Sequence, residues 1–335
     1  RNTDYVSWSF VEKQLLEFHK LKNYLNEGYA IFFVGDAIDF CYTKDMCFAK
    51  LKDGFERCKI GKVAYIPAER NAVTLPNIAS LKMPEYNTRS FIFDWLEVHQ
   101  KFQKKNAVDL LKLKLKYYYD ESSQKDMIVL EDGKEIGLEE ASSGLQSVVP
   151  LYVYVYYLTH WIYDHQEDIS FEKKDRIEGA LSREYIKMFS KQMNVVMDEE
   201  FLNQAVKEAK LSPGFKKILG TAKTLKKAGN DSLDNLLETV LELEENISHP
   251  HYSNIIVEEP ELNLFPETQK DLIYDLLEMI NSGRDHLLMT THSPYLLYAL
   301  NNCMLGALVQ ENIPEEEEGL QKMKDSFFKP EDVSV

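Results

Sequence analysis

An apolar, β-branched run that ends in two adjacent carboxylates is the feature that most limits how this chain can fold. Residues 255–257 are Ile-Ile-Val, and Glu258, Glu259 and Pro260 follow directly. Isoleucine and valine suit a pleated surface that is covered on both faces, so the run predicts a short buried strand. Two acids at the tip of such a strand need a partner there, and a Mg²⁺ ion with a nucleoside triphosphate is a suitable one.

Composition limits the remaining choices. The chain has 335 residues, of which 44% are apolar, so it can bury a sizeable core as two domains or as one large domain with an insertion. Its apolar runs are too short to span a bilayer, so we expect no membrane partner. The net charge of −16 argues against non-specific nucleic-acid binding by the whole surface. Binding of DNA in a local basic groove stays an open alternative. The four cysteines form no CxxC pair and no signal peptide is visible, which predicts reduced thiols and a cytoplasmic location.

A histidine follows the next predicted strand. A helix is predicted at 266–281 and a buried strand at 286–290, and residues 291–294 are Thr-His-Ser-Pro. Strand, helix and strand in about 30 residues are typical of a parallel βαβ unit, which returns His292 to the edge where Glu259 lies. A histidine there can hydrogen-bond a γ-phosphate and the attacking water. The alternative is that His292 only caps the helix that Ser293 and Pro294 begin.

A serine-rich turn begins a long apolar helix. Ser142, Ser143 and Gly144 precede a helix that is predicted to run through residue 163. Hydroxyls and free backbone N–H groups at a helix start form an anion site, to which the helix dipole contributes. The alternative is a plain N-cap, because serine is among the preferred capping residues.

The rest of the chain predicts an α/β protein with additions. Residues 29–52 read as an antiparallel meander, 62–66 as a further core strand, 127–138 as a hairpin and 90–119 as a helical region. The charged stretch 164–249 reads as a helical insertion. The predicted domains are therefore 1–163, 164–249 and 250–335. Lysines of the region 101–116, beside Tyr117, Tyr118 and Tyr119, leave a nucleic-acid groove open as an alternative to a solvated helix.

These motifs together resemble the ATP-binding cassette of the SMC/RecF/OLD-like ATPases, and in particular the stand-alone bacterial ATP-binding proteins of that group. Residues 255–259 resemble the Walker B strand, and 260–266 resemble its Glu-Pro-Glu-x-x-Leu-His-Pro continuation, with Phe265 in place of the histidine. Residues 290–294 resemble the switch-histidine loop and 142–146 the signature motif. Residues 65–70 resemble a segment that precedes the helical region in this group. The resemblance implies a P-loop NTPase fold with a parallel sheet, an antiparallel β-subdomain and a helical insertion.

The resemblance also implies roles for individual residues. Glu258 would help to bind Mg²⁺, Glu259 would be the catalytic base and His292 would sense the γ-phosphate of ATP. Ser142, Ser143, Gly144 and Gln146 form the signature turn, in which Ser143 and Gly144 would contact the ATP of a second subunit. Arg70 follows a strand and can approach phosphate or pair with Glu69.

Such heads pair head to tail around two ATP molecules, which implies a homodimer. The group serves DNA repair, chromosome organisation and anti-phage defence, often beside a nuclease or another effector partner. No nuclease signature is identified in this chain.

One departure from the family pattern leaves the activity open. No GxxxxGK[ST] loop occurs in the sequence, and in this group that loop lies N-terminal to everything matched, so its simplest place is upstream of Arg1. One alternative is a binding or regulatory module that does not hydrolyse ATP. A more remote one is a metal-dependent nuclease that uses Glu258, Glu259 and Glu261 directly.

Overall fold

A computed structural model describes most of the chain in two compact units. The described residues are 4–5, 11–17, 28–43, 46–52, 57–75, 86–111, 113–165, 231–314, 316–321 and 323–334, with isolated positions at 25, 78 and within 175–207. The first unit comprises Arg1–Ile60 and Glu167–Pro250, and the second comprises Gly61–Gln166 and His251–Val335. The structure thus groups residues 1–60 with most of the predicted insertion, whereas the sequence placed them with 61–163.

The described strands form three sheets. They are β1 Asp4–Tyr5, β2 Ile31–Val34, β3 Ile38–Tyr42, β4 Cys47–Leu51, β5 Gly61–Ile66, β6 Val108–Leu110, β7 Leu115–Asp120, β8 Lys125–Val129, β9 Glu135–Gly137, β10 Tyr252–Glu258 and β11 His286–Thr290. The longer helices are α1 Tyr86–Val98, α2 Ser143–Tyr156, α3 Asp231–Ser248, α4 Pro266–Ile280 and α5 Pro294–Val309. Shorter helical segments lie at Glu12–Glu17, Arg70–Thr74, His99–Lys101, Lys104–Asn106, Leu138–Glu140, Tyr157–Trp161, Ile162–Asp164, Gln310–Asn312, Glu318–Gln321, Lys324–Ser326 and Pro330–Asp332.

The first unit contains an antiparallel sheet in the order β1-β4-β3-β2. This sheet confirms the meander predicted for residues 29–52 and adds β1 at its edge. Tyr42 and Cys47, a directly opposed pair of β3 and β4, are buried together with Leu16. Of the helix predicted near 11–26, residues 11–17 are helical, and most of the remainder lies outside the described residues. The described positions of 175–207 and helix α3 are helical, as predicted.

The second unit is built around a parallel sheet in the order β11-β10-β5. β10 pairs in parallel with both neighbours, which confirms the predicted sheet of 62–66, 255–259 and 286–290. Ser253, Ile255 and Val257 alternate toward the buried face of β10. Ile255 and Val257 pack into one hydrophobic core with side chains of helices α1, α2 and α4. This core fixes the sheet that carries the candidate site.

The other face of this sheet differs from the prediction. A strand buried on both faces was expected, but Ile256 is only partly buried, and Val63 and Leu288 of the neighbouring strands are 63% and 61% exposed. All-parallel sheets normally carry a layer on each face. The side chains of β10 therefore alternate between buried and half-buried, because the described residues supply a full apolar layer on one face of the sheet.

The prediction of a helical region over 90–119 is wrong beyond α1. Residues 108–110 and 115–120 are strands β6 and β7 of an antiparallel sheet in the order β6-β7-β8-β9. Tyr117 and Tyr118 are buried there and pair with β8. The Lys- and Leu-rich composition favoured a helix, but burial of the tyrosines on a pleated surface overrides that local preference. The predicted hairpin near 127–138 is confirmed by β8 and β9.

Candidate functional site

The register of β10 and β11 brings the paired acids and the histidine to one edge of the parallel sheet. Glu258 is the last residue of β10 and lies opposite Thr290, the last residue of β11. The backbone N–H of Glu259 donates to the carbonyl oxygen of Thr290 at 2.9 Å. Beyond these strand ends, Nε2 of His292 lies 4.0 Å from a carboxylate oxygen of Glu259. The structure therefore brings together the groups that the sequence predicted to meet, while their chemical roles stay predictions.

Backbone strain marks the residue that follows β10. Glu259 has a φ of +42° and Asn263 a φ of +61°, which are uncommon values for residues with a side chain. The turn between them is held by Leu262 N–H, which donates to the Glu259 carbonyl at 3.1 Å, and by Leu264 N–H, which donates to the Glu261 carbonyl at 3.0 Å. Such conformations cost about 1–3 kcal/mol and persist where the surroundings fix them, often at functional sites.

Arg70 lies beneath this turn and has a different role from the predicted contact with phosphate. Its side chain is fully buried, and its five N–H donors make hydrogen bonds to backbone carbonyl oxygens. The acceptors are Ser147 at 2.8 Å, Pro67 at 3.3 Å, Glu258 at 2.9 Å, Glu259 at 3.0 Å and Pro260 at 3.1 Å. The guanidinium therefore joins the β10 turn to helix α2 and presents no donor to a ligand.

The charge of Arg70 is retained despite its burial. Burial lowers the pKa of Arg70 to about 10, and the negative charges of Glu261 and Glu259 oppose that fall. The guanidinium is therefore protonated at neutral pH.

Tyr65 of β5 holds the Glu258 side chain, a contact that sequence reasoning missed. Burial raises the pKa of Tyr65 well above its usual value, and the hydrogen bond to the Glu258 carboxylate and the charge of Glu258 raise it further. Asn87 also hydrogen-bonds the phenol and acts in the opposite direction. The neutral phenol therefore donates to Glu258 and orients its half-buried carboxylate at the strand end.

The serine-rich turn is the N-terminus of helix α2. Ser142 is the N-cap, and its hydroxyl oxygen accepts from the N–H of Leu145 at 3.4 Å. The side chains of both Ser142 and Ser143 are exposed. Ser142 therefore acts as the plain N-cap that the sequence offered as an alternative. The hydroxyl of Ser143 does not take part in this cap and is accessible to a ligand or a second molecule.

The next residues of α2 fasten this turn to the turn after β10. A Cβ atom on Gly144 would lie 2.9 Å from the backbone oxygen of Asn263, so only glycine fits the present spacing. The side-chain amide of Asn263 donates to the hydroxyl of Ser147 at 2.9 Å. Gln146, which the resemblance places in the signature turn, donates from its side-chain amide to the carbonyl oxygens of Glu139 and Ala141 at 3.0 and 3.2 Å. Gly144 and Gln146 thus have structural roles in packing the turn, which the signature motif alone did not predict.

The loop that carries His292 is anchored on both sides of the histidine. The hydroxyl of Thr291 and the backbone N–H of His292 both donate to Oε1 of Glu261, at 2.8 and 2.7 Å. Ser293, and not His292, caps helix α5, because its hydroxyl accepts from the N–H of Tyr295 at 3.2 Å. The imidazole of His292 is 89% exposed. The imidazole is therefore accessible to a ligand.

Among the described side chains, Glu258 is the candidate ligand for a Mg²⁺ ion. No group of three or more Asp, Glu, His or Cys side chains in the described residues is arranged to hold a metal ion. Magnesium is commonly held by one or two carboxylates together with phosphate oxygens and water, and Glu258 provides one such carboxylate. The nuclease alternative requires Glu261 as a ligand, but both hydrogen bonds of the Thr291–His292 loop already occupy its Oε1.

Three of the described lysines in the 101–116 region pair with acids. Lys104 contacts Glu135 at 2.7 Å, Lys114 contacts Glu131 at 2.5 Å and Lys116 contacts Asp109 at 3.0 Å. Tyr117 and Tyr118 are buried, so these two rings offer single-stranded nucleic acid no exposed platform for stacking. A nucleic-acid groove in this region stays a prediction.

None of the helices among the described residues has the length and apolar content that a membrane crossing needs.

Two comparisons with known proteins bear on this site. No curated protein matches the chain. Residues 162–297, which are less than half of the chain, match the family model described as AAA ATPase domain. The matched stretch includes β10, the acid pair, β11 and His292, so this part of the chain is similar to AAA ATPase domains.

Proposed function

We propose that this chain is an ATP-hydrolysing head of the ABC type within the SMC/RecF/OLD-like group. The observation that carries the proposal is the 4.0 Å approach of the His292 imidazole to the Glu259 carboxylate at the carboxyl edge of parallel strands. Ligands of open α/β sheets bind outside the carboxyl ends of the strands. The family match over the same strands and loops supports ATP as that ligand.

The residues divide the chemistry between them. Glu259 accepts the proton of the water that attacks the γ-phosphorus, and the bond to the bridging oxygen breaks to release ADP and phosphate. His292 donates a hydrogen bond to a γ-phosphate oxygen, on which charge develops. Glu258, oriented by Tyr65, would hold Mg²⁺, and that ion would neutralise charge on the phosphate oxygens.

Closure of two heads over ATP is the second part of the proposal. The exposed hydroxyl of Ser143, beside the capping residue Ser142, is available to the nucleotide of a second copy of the chain. Gly144 permits the close packing of their turn on Asn263. ATP, which contacts both heads, favours the closed pair, whereas ADP lacks the γ-phosphate. The closing motion acts on an effector protein. The family resemblance suggests a nuclease as that effector, and DNA repair or anti-phage defence as the process it serves.

Glu259→Gln in the full-length protein tests the proposal. The amide keeps the shape but accepts no proton, so we expect ATP turnover to fall by at least about a hundredfold while ATP-induced dimers accumulate in analytical ultracentrifugation. Glu267→Gln, a change at an exposed acid in the first turn of α4, is the matched control and should leave both readouts unchanged. Unchanged turnover in Glu259→Gln would remove Glu259 from the role of base.

A binding module that does not hydrolyse ATP is the second candidate, because the sequence contains no GxxxxGK[ST] loop. Wild-type full-length protein that binds Mg·ATP in calorimetry, yet releases no phosphate and behaves as Glu259→Gln does, would favour this candidate.

A further inference from the structure

Glu261 connects the two loops that carry the candidate catalytic groups. It lies on the turn after β10, two residues beyond Glu259, and its Oε1 accepts hydrogen bonds from the hydroxyl of Thr291 at 2.8 Å and the backbone N–H of His292 at 2.7 Å. Both donors belong to the loop after β11. One carboxylate oxygen thus bridges the two strand ends beyond the last pair of the sheet ladder.

The turn that carries the Glu261 carboxylate is itself held in place. The backbone carbonyl of Glu261 accepts from Leu264 N–H at 3.0 Å, and the preceding residue, Pro260, is buried and its carbonyl accepts from Arg70 at 3.1 Å. Its Oε2 is buried and has no hydrogen-bond partner among the described residues. Arg70, whose positive charge interacts with Glu261, offsets part of the cost of burying this oxygen.

The imidazole of His292 depends on this anchor for its position. Because the ring is 89% exposed, packing does little to orient it, and the backbone of residues 291–293 determines where it emerges. Glu261 holds this backbone from one side. Ser293 holds it from the other, since its N–H donates to the Thr291 hydroxyl at 2.9 Å and its own hydroxyl donates to Oε1 of Gln269 at 2.5 Å.

We infer that Glu261 is a positioning residue that sets His292 against Glu259 for ATP hydrolysis. It acts through the backbone of the histidine loop and contacts neither nucleotide nor metal, because its Oε1 is occupied and its Oε2 is buried. This role rests on the proposed ATPase function. A displacement of about 1 Å at a catalytic group lowers rates by as much as a hundredfold, so the anchor is expected to affect turnover strongly.

Two variants separate the effect of the side-chain length of Glu261 from the effect of its charge. Glu261→Gln keeps the length of the side chain and an oxygen that can accept both hydrogen bonds, but it loses the charge. Glu261→Asp keeps the charge but shortens the side chain by one methylene, so the bridge breaks. A positioning role predicts that Glu261→Gln stays closer to the wild type, whereas a purely electrostatic role predicts that Glu261→Asp does.

The experiment measures amide hydrogen exchange of residues 291–293 and steady-state ATP hydrolysis in the full-length protein. For Glu261→Asp we expect at least tenfold faster exchange of the His292 amide, with exchange within helix α4 unchanged. We also expect kcat to be at least about tenfold lower, with KM for ATP within about threefold of the wild type. Glu261→Gln should recover most of both losses.

Thr291→Val with Thr291→Ser as its control provides a second test if a Glu261 variant does not fold. Valine removes one of the two donors to Glu261, and serine restores the hydroxyl, so only valine should speed exchange and lower kcat. Wild-type exchange and kcat in Glu261→Asp and Thr291→Val would overturn the inference. A wild-type protein that lacks ATP turnover, but whose His292 amide loses protection in Glu261→Asp, would instead contradict the proposed function and leave the anchor established.

Discussion

Nε2 of His292 lies 4.0 Å from a carboxylate oxygen of Glu259, although the two residues are separated in sequence by helix α4 and strand β11. The parallel pairing of β10 with β11 accounts for this, because it aligns Glu258 with Thr290 and leaves the following loops side by side. The contact depends on two backbone anchors. Arg70 holds the turn after β10, and Glu261 holds the loop after β11.

Removal of the imidazole should affect catalysis without affecting folding. His292→Ala changes a side chain that is 89% exposed, so the thermal midpoint should stay within about 1–2 °C of the wild type. We expect kcat for ATP to fall about a hundredfold, as on removal of a donor to developing charge. His286→Ala, an exposed histidine at the opposite end of β11, is the control, and an equal loss of kcat there would contradict a specific role for His292.

Arg70→Lys should destabilise the second unit, even though it keeps the charge. Lysine has three donors in place of five and lacks the planar fork, so several carbonyl oxygens beneath the β10 turn lose their partners. We expect the free energy of unfolding to fall by about 3 kcal/mol or more in urea titrations. Arg89→Lys on the exposed face of α1 should change it by less than about 0.5 kcal/mol. Equal effects of the two substitutions would contradict the account of Arg70.

Gly144→Ala tests the packing of the serine turn. The added methyl group would lie 2.9 Å from the Asn263 backbone oxygen, so the turn must shift. We expect a loss of about 1–3 kcal/mol in the free energy of unfolding and a weaker ATP-dependent association. Gly319→Ala adds a methyl group where nothing lies within 4 Å, and it should be neutral in both measurements. A neutral Gly144→Ala would show that the turn is not closely packed in solution.

Tyr65→Phe should alter the dependence of stability on alkaline pH. Burial and Glu258 raise the pKa of Tyr65 in the folded protein, so the unfolded chain releases this proton first as the pH rises. The wild type should therefore lose stability above about pH 10, and the variant should lose less over that window. Urea titrations at pH 8 and pH 10.5 measure the free energy of unfolding of both proteins. An equal loss in the wild type and the variant would show that the folded protein does not raise the pKa of Tyr65.

Ser143→Arg tests the proposed contact between two heads. The side chain is exposed, so the free chain should fold normally, but a bulky cation should obstruct the nucleotide of the second copy. In a Glu259→Gln background we expect ATP-induced dimers to disappear from sedimentation profiles. Ser282→Arg, an exposed turn residue after α4, should leave them intact. Dimers that survive Ser143→Arg would place the interface elsewhere.

The parallel sheet and the meeting of the acid pair with His292 were predictable because their signals are local. The apolar runs of β10 and β11 and the turn residues after them lie directly before or at Glu259 and His292, and the helical pattern fills the sequence between them. A parallel crossover then dictates that both loops leave the same edge of the sheet.

The roles of Arg70, Tyr65 and Glu261 were not predictable from the same signals. The acceptors of Arg70 are backbone carbonyls, including those of Glu258 and Glu259, and no residue type marks a carbonyl that accepts from a distant arginine. The anchoring contacts of Glu261 likewise come from a loop 30 residues away. From its place two residues after Glu259, the sequence offered Glu261 only as part of the motif or as a metal ligand. These roles are set by tertiary packing, which composition and spacing do not record.

A double-mutant cycle on kcat tests the central claim most directly, namely that Glu259 and His292 act on the same ATP. The full-length wild type, Glu259→Gln, His292→Ala and the double variant are compared at saturating Mg·ATP. Because residues that act as a unit have non-additive effects, we predict that the double variant is no more than about threefold slower than Glu259→Gln alone. A double variant whose loss equals the product of the two single losses would contradict the account, because the two groups would then act independently.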